Sequence, residues 1–306
     1  MRIRILGSAA GGGFPQWNCN CQNCRGLRAG TLRAQARTQS SIAVSGDDPT
    51  AWALINASPD ILKQLADNSV LQPARVIRDT ALAAVVLTDA QIDHTTGLYM
   101  LRESTRALPL WCTDSVYDDL TRGNPILSLL AHYCGVEHRR VALDGKAFRI
   151  DGVDGMEFTA MPLRSKPPPF SPNRDQPKIG DNIALRMVCT HTGGSALYAP
   201  GLGAMNEQLW QQIHMADCVL IDGTFWTDDE MIRLGLSKKT ARDIGHLPIS
   251  GREGMIDWLT RLRAGARRIL IHINNTNPIL DEDSAERAQL NRLGIEIAFD
   301  GMEIEL

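Results

Sequence analysis

The sequence lacks a long hydrophobic run, an excess of charge of one sign and an even set of cysteines. No apolar stretch in the 306 residues approaches the roughly 18 residues that a membrane-spanning helix requires, so no membrane span is expected. Lysine and arginine number 32 against 35 aspartates and glutamates, which argues against a nucleic-acid-binding protein built on a basic face. The apolar stretch at the N-terminus breaks at glycine within a few residues, too early for the core of a signal peptide. We therefore expect a cytoplasmic protein.

The composition that is present is globular. Hydrophobic residues make up 43% and charged residues 22%, so the chain can bury a large core without disulfide bonds. The length allows one large domain or two of ordinary size. Strand patterns continue along the chain without a shift in composition, which predicts a single domain over residues 1–306.

Short apolar runs that predict β-strands recur throughout, with helical patterns between them. The runs Ala83–Leu87 and Cys218–Ile221 are continuously apolar, as expected of strands covered on both faces. A helix start is predicted at Ser58-Pro59-Asp60, because a capping serine precedes a proline and an acidic residue. This mixture indicates a layered α/β or α+β fold.

One segment is rich in proline. Six of the 15 prolines lie between Pro162 and Pro177, which excludes a regular helix or a central strand there. Two interpretations stay open: a rigid surface loop, or a loop that shapes the mouth of a functional site.

Three of the seven cysteines fall within six residues, as Cys19, Cys21 and Cys24. Three thiolates at this spacing can surround one tetrahedral Zn²⁺, which then needs a fourth ligand from elsewhere. An odd and clustered set of cysteines favours a reduced protein with a metal clip over a disulfide framework. A site with no open position would be structural.

Candidate ligands also follow two apolar strands. Asp93 and His94 come after the run Ala83–Leu87 at a predicted helix start, and His272 lies at the end of another apolar strand before an asparagine-rich loop. Taken alone, each is ambiguous, because an acidic helix cap and a buried strand histidine are common without a ligand.

Four separated segments together resemble a known family. They are RILGSAAGGGFPQWNCNCQNC at the start, TDAQIDHTTGL, GHLPISG and IHINNTNPIL. Over essentially residues 1–306 the sequence is similar to the coenzyme PQQ synthesis protein B family of the metallo-β-lactamase superfamily. The resemblance implies a four-layer αββα sandwich, with two mixed sheets face to face and the site at one edge.

The resemblance also implies that one of the superfamily's two metal sites is lost. The superfamily signature T-H-x-H-x-D-H aligns with TDAQIDH, so Asp89 and Gln91 stand where the first two histidines would be. Arg164 stands where the third histidine would be, and the bridging aspartate falls at Pro200 or Gly201. Asp89, Gln91 and Arg164 are therefore candidates for contacting a ligand, or for filling vacated space.

The second metal site keeps Asp93, His94 and His272. One carboxylate with two imidazoles is the facial triad of non-haem Fe(II) oxygenases, whereas a dinuclear hydrolase needs two metals. The residues thus favour oxidation at one Fe²⁺. Asp222 and His246 are further catalytic candidates. The alternative for Asp222 is a structural role in a turn, and the alternative for His246 is packing within a loop.

The resemblance implies a function in pyrroloquinoline quinone (PQQ) biosynthesis. The leading hypothesis is an iron-dependent oxygenase that hydroxylates the tyrosine ring of a Glu-Tyr-derived PQQ precursor. A one-metal hydrolase and a soluble carrier that moves PQQ or its precursor toward the periplasm are the alternatives, and a homodimer is left open. For the structural zinc, the resemblance places Asn275 at the fourth ligand position, through its carbonyl oxygen or a water.

Overall fold

Thirteen β-strands and ten short α-helices alternate along residues 1–306, all of which the computed structural model describes. The strands are β1 (Arg2–Gly7), β2 (Ser41–Ser45), β3 (Trp52–Ile55), β4 (Leu82–Val86), β5 (Leu108–Cys112), β6 (Val136–Arg140), β7 (Met156–Pro162), β8 (Ile183–Cys189), β9 (Ser195–Ala199), β10 (Cys218–Asp222), β11 (Arg267–Ile271), β12 (Glu296–Ile297) and β13 (Glu303–Glu305). The helices are α1 (Gln22–Ala29), α2 (Ile61–Asp67), α3 (Ile92–Thr95), α4 (Gly97–Met100), α5 (Asp114–Asp118), α6 (Ile126–Leu130), α7 (Glu207–Ile213), α8 (Glu230–Arg233), α9 (Met255–Leu259) and α10 (Ala285–Arg292). No helix combines the length and the hydropathy that crossing a membrane requires.

The strands form two mixed sheets. The seven-stranded sheet has the order β13-β1-β2-β3-β4-β5-β6, and the six-stranded sheet has the order β12-β11-β10-β9-β8-β7. Strands β3 to β6 run parallel, as do β9 to β12, while the remaining neighbours pair antiparallel. Each sheet therefore has a parallel half that brings the carboxyl ends of several strands to one edge.

The core fills three interfaces, which makes the architecture four-layered. In β4 and the residue after it, Ala84 and Val86 face the other sheet, whereas Val85 and Leu87 face the helices outside. The run Cys218–Ile221 alternates in the same way between the two sides of its sheet. Because successive strand residues point to opposite faces, a strand covered on both sides must be apolar throughout. The predicted αββα sandwich is confirmed, and the assignment to one domain stays a prediction.

One strand carries no apolar signal in the sequence. Edge strand β6 exposes Glu137, Arg139 and Arg140, and charged edge strands are protected in this way from pairing with other chains.

Helix α2 begins at Ile61, one residue after Asp60. The N-cap residue of this helix is therefore Asp60 and not the predicted Ser58, an error of two residues. The Ser58 hydroxyl instead accepts the Asp60 backbone N–H just before the helix.

Gly97 fixes the chain just beyond the candidate site. Its backbone N–H donates to the Ala57 carbonyl oxygen at 2.9 Å, and a Cβ placed on it would lie 2.2 Å from the Ser58 carbonyl oxygen. We expect Gly97→Ala to lower the free energy of unfolding by about 3 kcal/mol, because backbone must move to admit the methyl group. Chemical denaturation measures this loss. The control is Gly201→Ala, where a Cβ meets nothing within 4 Å, and an equal loss in both variants would contradict the steric explanation.

Candidate active site and metal centres

The three predicted active-site ligands converge at the edge where the parallel strands end. Asp93 and His94 lie on α3, which follows β4, and His272 directly follows β11. The Asp93 carboxylate oxygen Oδ2 lies 3.1 Å from His272 Nε2 and 3.9 Å from His94 Nε2. The ligand atoms of all three residues lie within 4.8 Å of one another. The fold thus assembles a carboxylate and two imidazoles from positions 179 residues apart in sequence.

Asp89 orients the first imidazole. His94 Nδ1 lies 2.8 Å from Asp89 Oδ1 and 2.9 Å from Oδ2. Since an ionised carboxylate only accepts hydrogen bonds, Nδ1 is the donor. His94 Nε2 is then left buried with no hydrogen-bond partner. An orphaned imidazole nitrogen aimed at a carboxylate and a second histidine fits a bound metal ion.

Asp222 orients the second imidazole through a hydroxyl group. Thr224 Oγ1 donates to Asp222 Oδ1 at 2.6 Å and lies 2.9 Å from His272 Nδ1. The threonine can therefore accept the Nδ1–H of His272, which leaves Nε2 facing Asp93. His272 itself has a φ of 60°, a left-handed conformation that non-glycine residues adopt at a cost and that is concentrated at functional sites.

His246 forms a further wall of the site. Its Nδ1 donates to Asp222 Oδ2 at 2.7 Å, and its ring stacks on His272 with the centroids 5.5 Å apart. Burial disfavours charge on both partners, but their mutual attraction lowers the pKa of Asp222 and raises the pKa of His246. Asp222 is fully buried and also accepts the Leu202 N–H. It therefore holds other groups in place, whereas His246 reaches the cavity.

The site is strongly polarised. Burial opposes ionisation of His94, but the Asp89 and Asp93 carboxylates outweigh it and raise the pKa of the imidazole to about 9. Burial likewise opposes ionisation of Asp93, but His94 and His272 hold the pKa of this carboxyl well below its usual range. The buried Asp89 carboxylate and the half-buried Asp93 carboxylate give the pocket negative charge that a divalent cation neutralises.

A cavity of about 240 Å³ opens onto these groups. Gln91 lines it, and its Nε2 donates to the Lys166 carbonyl oxygen at 3.3 Å. Arg164 is exposed and lies outside the lining, where its neighbour Ser165 stands instead, so its ligand-binding role stays a prediction. The proline-rich loop thus contributes to the mouth of the site. The lining residues are Ala10, Gly11, Asp89, Gln91, Asp93, His94, Ser165, Asn182, Gly201, Thr224, Phe225, Ile244, His246, His272 and Asn274.

The glycine-rich segment after β1 forms another wall. The Ala10 N–H donates to the Ile273 carbonyl oxygen and the Ile273 N–H donates to the Ser8 carbonyl oxygen, each at 2.9 Å. This pairing brings Gly11 so close that a Cβ there would lie 3.4 Å from the Asp93 carboxylate. Glycine at this position lets the backbone approach the metal ligand.

The cysteine cluster forms a second candidate metal centre. The sulfur atoms of Cys19, Cys21 and Cys24 lie within 4.8 Å of one another. The side-chain amide nitrogen of Asn275 lies 3.1, 3.6 and 3.3 Å from these sulfurs in turn. Three convergent thiols fit a structural Zn²⁺. Asn275 lies in the fourth direction with its amide nitrogen toward the sulfurs, and a half-turn of the amide would bring its carbonyl oxygen there. Its role as a zinc ligand stays a prediction. The same loop thus carries His272 and Asn275, so it connects the two centres.

The thiols differ in their electrostatics. Burial raises the pKa of Cys21 to about 11. Burial acts in the same direction on Cys19, but hydrogen bonds from the Cys21 backbone, the neighbouring thiols and Asn275 hold its pKa below the usual value. Thiolates this close repel one another, and a bound Zn²⁺ removes that repulsion.

Two residues of the site were missed by the sequence analysis. Thr224 bridges Asp222 and His272, and the only signal for it is its position two residues after Asp222 at the end of β10. Asn182 lines the cavity directly before β8, and nothing in the sequence marks it.

The contact between Asp89 and His94 yields a prediction. We expect Asp89→Asn to weaken metal binding at the Asp93/His94/His272 site by about 10- to 100-fold, because an amide no longer fixes the donating tautomer of His94. Competition titration with a chromophoric chelator measures the affinity. Asp67→Asn, which alters an exposed ion pair with Lys63, is the control and should leave the affinity unchanged. Unaltered affinity in Asp89→Asn would show that this carboxylate does not support the ligand.

Comparisons with known proteins identify the family of the chain. A family model described as the beta-lactamase superfamily domain matches residues 51–273. The chain is 60% identical over 306 residues, covering 100% of both chains, to the coenzyme PQQ synthesis protein B of Azoarcus sp. (strain BH72). It is 37% identical, with a TM-score of 0.90 over 100% of both chains, to the crystal structure of Zn²⁺-bound PqqB from Methylobacterium extorquens. A diphosphatase of the PhnP family shares only the fold, with 19% identity and a TM-score of 0.67 over 100% of this chain and 97% of that one. The chain therefore belongs to the coenzyme PQQ synthesis protein B family, within the metallo-β-lactamase superfamily.

Proposed function

We propose that this chain acts in PQQ biosynthesis as an iron-dependent oxygenase that hydroxylates the tyrosine ring of a Glu-Tyr-derived precursor. The observation that carries the proposal is the orphaned Nε2 of His94, which faces Asp93 and His272. Asp93, His94 and His272 would hold the iron. When bound, Fe²⁺ at such a triad supplies the activation of dioxygen, since three protein ligands leave positions open.

The arrangement of the remaining polar groups disfavours hydrolysis with two metals. Asp89 and Gln91 occupy two ligand positions of the superfamily's other site, but Asp89 is engaged with His94 and Gln91 with the Lys166 carbonyl oxygen. Asp222, His246 and His272 also lie close together. Both Asp222 oxygens, however, already accept hydrogen bonds from Leu202, Thr224 and His246. This group therefore supports the first site and offers no second metal a free carboxylate.

The chain's own residues position the substrate. In this proposal the substrate ring lies in the cavity that the metal ligands line together with Phe225 and His246. In the overall reaction, one oxygen atom of O₂ enters a ring C–H bond as a hydroxyl group. The other oxygen atom leaves as water, with two electrons and two protons from an added reductant such as ascorbate.

The experiment compares metals and gases. Metal-free protein is reloaded with Fe²⁺ or Zn²⁺ and given a Glu-Tyr dipeptide, ascorbate and isotope-labelled O₂. Mass spectrometry should find one labelled oxygen atom in the ring with iron, and none with zinc or under anaerobic conditions. Cleavage of the peptide without O₂ would instead support the hydrolase. Tight binding of PQQ with no turnover under any condition would support the carrier.

A further inference from the structure

Asn182 is a buried amide held rigidly in the wall of the active-site cavity. Asn182 is only 4% exposed and lies directly before β8. Its backbone carbonyl oxygen accepts the Leu163 N–H at 2.9 Å, and its backbone pairs with Asp89 in an isolated antiparallel bridge. The position of Asn182 relative to the metal ligand His94 is therefore set by the strands and not by a flexible loop.

The amide of Asn182 is not satisfied by the protein. Its Nδ2 atom is buried and has no hydrogen-bond partner. A buried polar group left unpaired is costly, so such groups in a folded protein are normally paired. Rotation about the terminal side-chain torsion exchanges the two ends of the amide, so Asn182 can offer a donor or an acceptor to a molecule in the cavity. An unpaired amide beside a metal site points to a ligand as its partner.

The cavity has room for that ligand. Gly201 lies in the lining and has no side chain, and a Cβ placed on it would meet nothing within 4 Å. Gln91 also lines the cavity, with its amide turned to the Lys166 carbonyl oxygen. The cavity of about 240 Å³ therefore has open space beside Gly201.

The protein group paired with Asn182 through the backbone favours a neutral partner for its amide. The lining contains the carboxylates of Asp89 and Asp93 and no lysine or arginine side chain. Asp89 is the residue paired with Asn182 through the backbone, and its carboxylate repels a carboxylate or phosphate beside this amide, although the metal site and the imidazoles of His94 and His246 attract one. A neutral oxygen, such as a phenolic hydroxyl, pairs with the amide without that repulsion.

We infer that Asn182 is a specificity-determining residue that binds the phenolic oxygen of the substrate beside the Asp93/His94/His272 site. The inference rests on the proposed function for the identity of the ring. The paired amide would place the phenol at the cavity wall and direct the adjacent ring carbon toward the metal ligands. A ring without the hydroxyl would leave the amide unpaired and bind more weakly.

The test measures discrimination between two probes that differ by one oxygen atom. Dissociation constants of the dipeptides Glu-Tyr and Glu-Phe are measured by calorimetry on the zinc-loaded protein, in which no turnover interferes. We expect the wild-type protein to prefer Glu-Tyr by roughly tenfold, as one neutral hydrogen bond provides. Asn182→Ala and Asn182→Leu should reduce this ratio to about one, while Asn291→Ala, on the exposed end of α10, should retain it.

Each other outcome overturns the inference in a distinguishable way. A preference for Glu-Tyr that survives in both Asn182 variants would show that another group binds the phenol. Equal binding of the two dipeptides by the wild-type protein would show that the phenol is not recognised here. If isotope incorporation into the ring still occurs with iron, the proposed function stands and only the role of Asn182 fails. If neither dipeptide binds, the inference fails together with the substrate class.

Discussion

Replacing Asp93 by alanine is expected to abolish iron binding at the active site and to reduce ring hydroxylation at least roughly 1,000-fold. The variant loses the only carboxylate among the three ligands, and two neutral imidazoles hold Fe²⁺ weakly. Asp93 packs against the Gly11 backbone and His272 and fills no apolar core. The fold should therefore persist. Iron content after desalting, oxygen consumption and thermal melting by circular dichroism measure the three effects.

The companion variant needs care because of its backbone. His272 has a φ of 60°, so alanine at this position would add backbone strain to the loss of the ligand. Asparagine tolerates this conformation better, which makes His272→Asn the cleaner second variant. His132→Ala, at an exposed residue outside the cavity, is the control. Full iron content and hydroxylation in both Asp93→Ala and His272→Asn would contradict the assignment of the site.

The sequence predicts the ligands of the site because their residue types and positions are local signals. Asp93 and His94 follow an apolar strand, and the spacing of Cys19, Cys21 and Cys24 is itself a zinc motif. Continuous apolar runs such as Ala83–Leu87 likewise predict strands covered on both faces. These features depend on a few neighbouring residues, so they can be recognised before the fold is known.

The groups around the ligands cannot be predicted in the same way. Asp89 could fill space or contact a ligand on sequence grounds, and only the fold shows that it accepts the His94 Nδ1–H. Thr224 acquires its role because β10 and β11 are parallel neighbours, which brings Asp222 beside Ile271 and hence near His272. Such contacts depend on strand register, which no local pattern specifies.

Replacing Cys24 by serine is expected to release the structural zinc and to lower the melting temperature by about 10 °C, since each kcal/mol shifts it by a few degrees in a chain of this size. Cys24 is fully buried against the outer core of the six-stranded sheet, and a serine hydroxyl is a poor zinc ligand. Without zinc, Cys19 and Cys21 no longer fasten the segment after β1 to Asn275. Zinc and iron counted separately, with calorimetric melting, measure the effect.

The loss of zinc should also weaken iron binding at the active site, because His272 and Asn275 belong to one loop. Release of Asn275 frees the segment whose backbone holds His272 in its left-handed conformation, so iron affinity in Cys24→Ser should fall although no iron ligand has changed. Cys134→Ser is the matched control, since Cys134 is a lone, half-buried thiol elsewhere in the fold. A Cys24→Ser protein that keeps its zinc and has the melting temperature of the wild type would contradict a structural zinc bound by Cys24. One that loses zinc but binds iron normally would show that the two centres are independent, and that the backbone of β11 alone holds His272 in place.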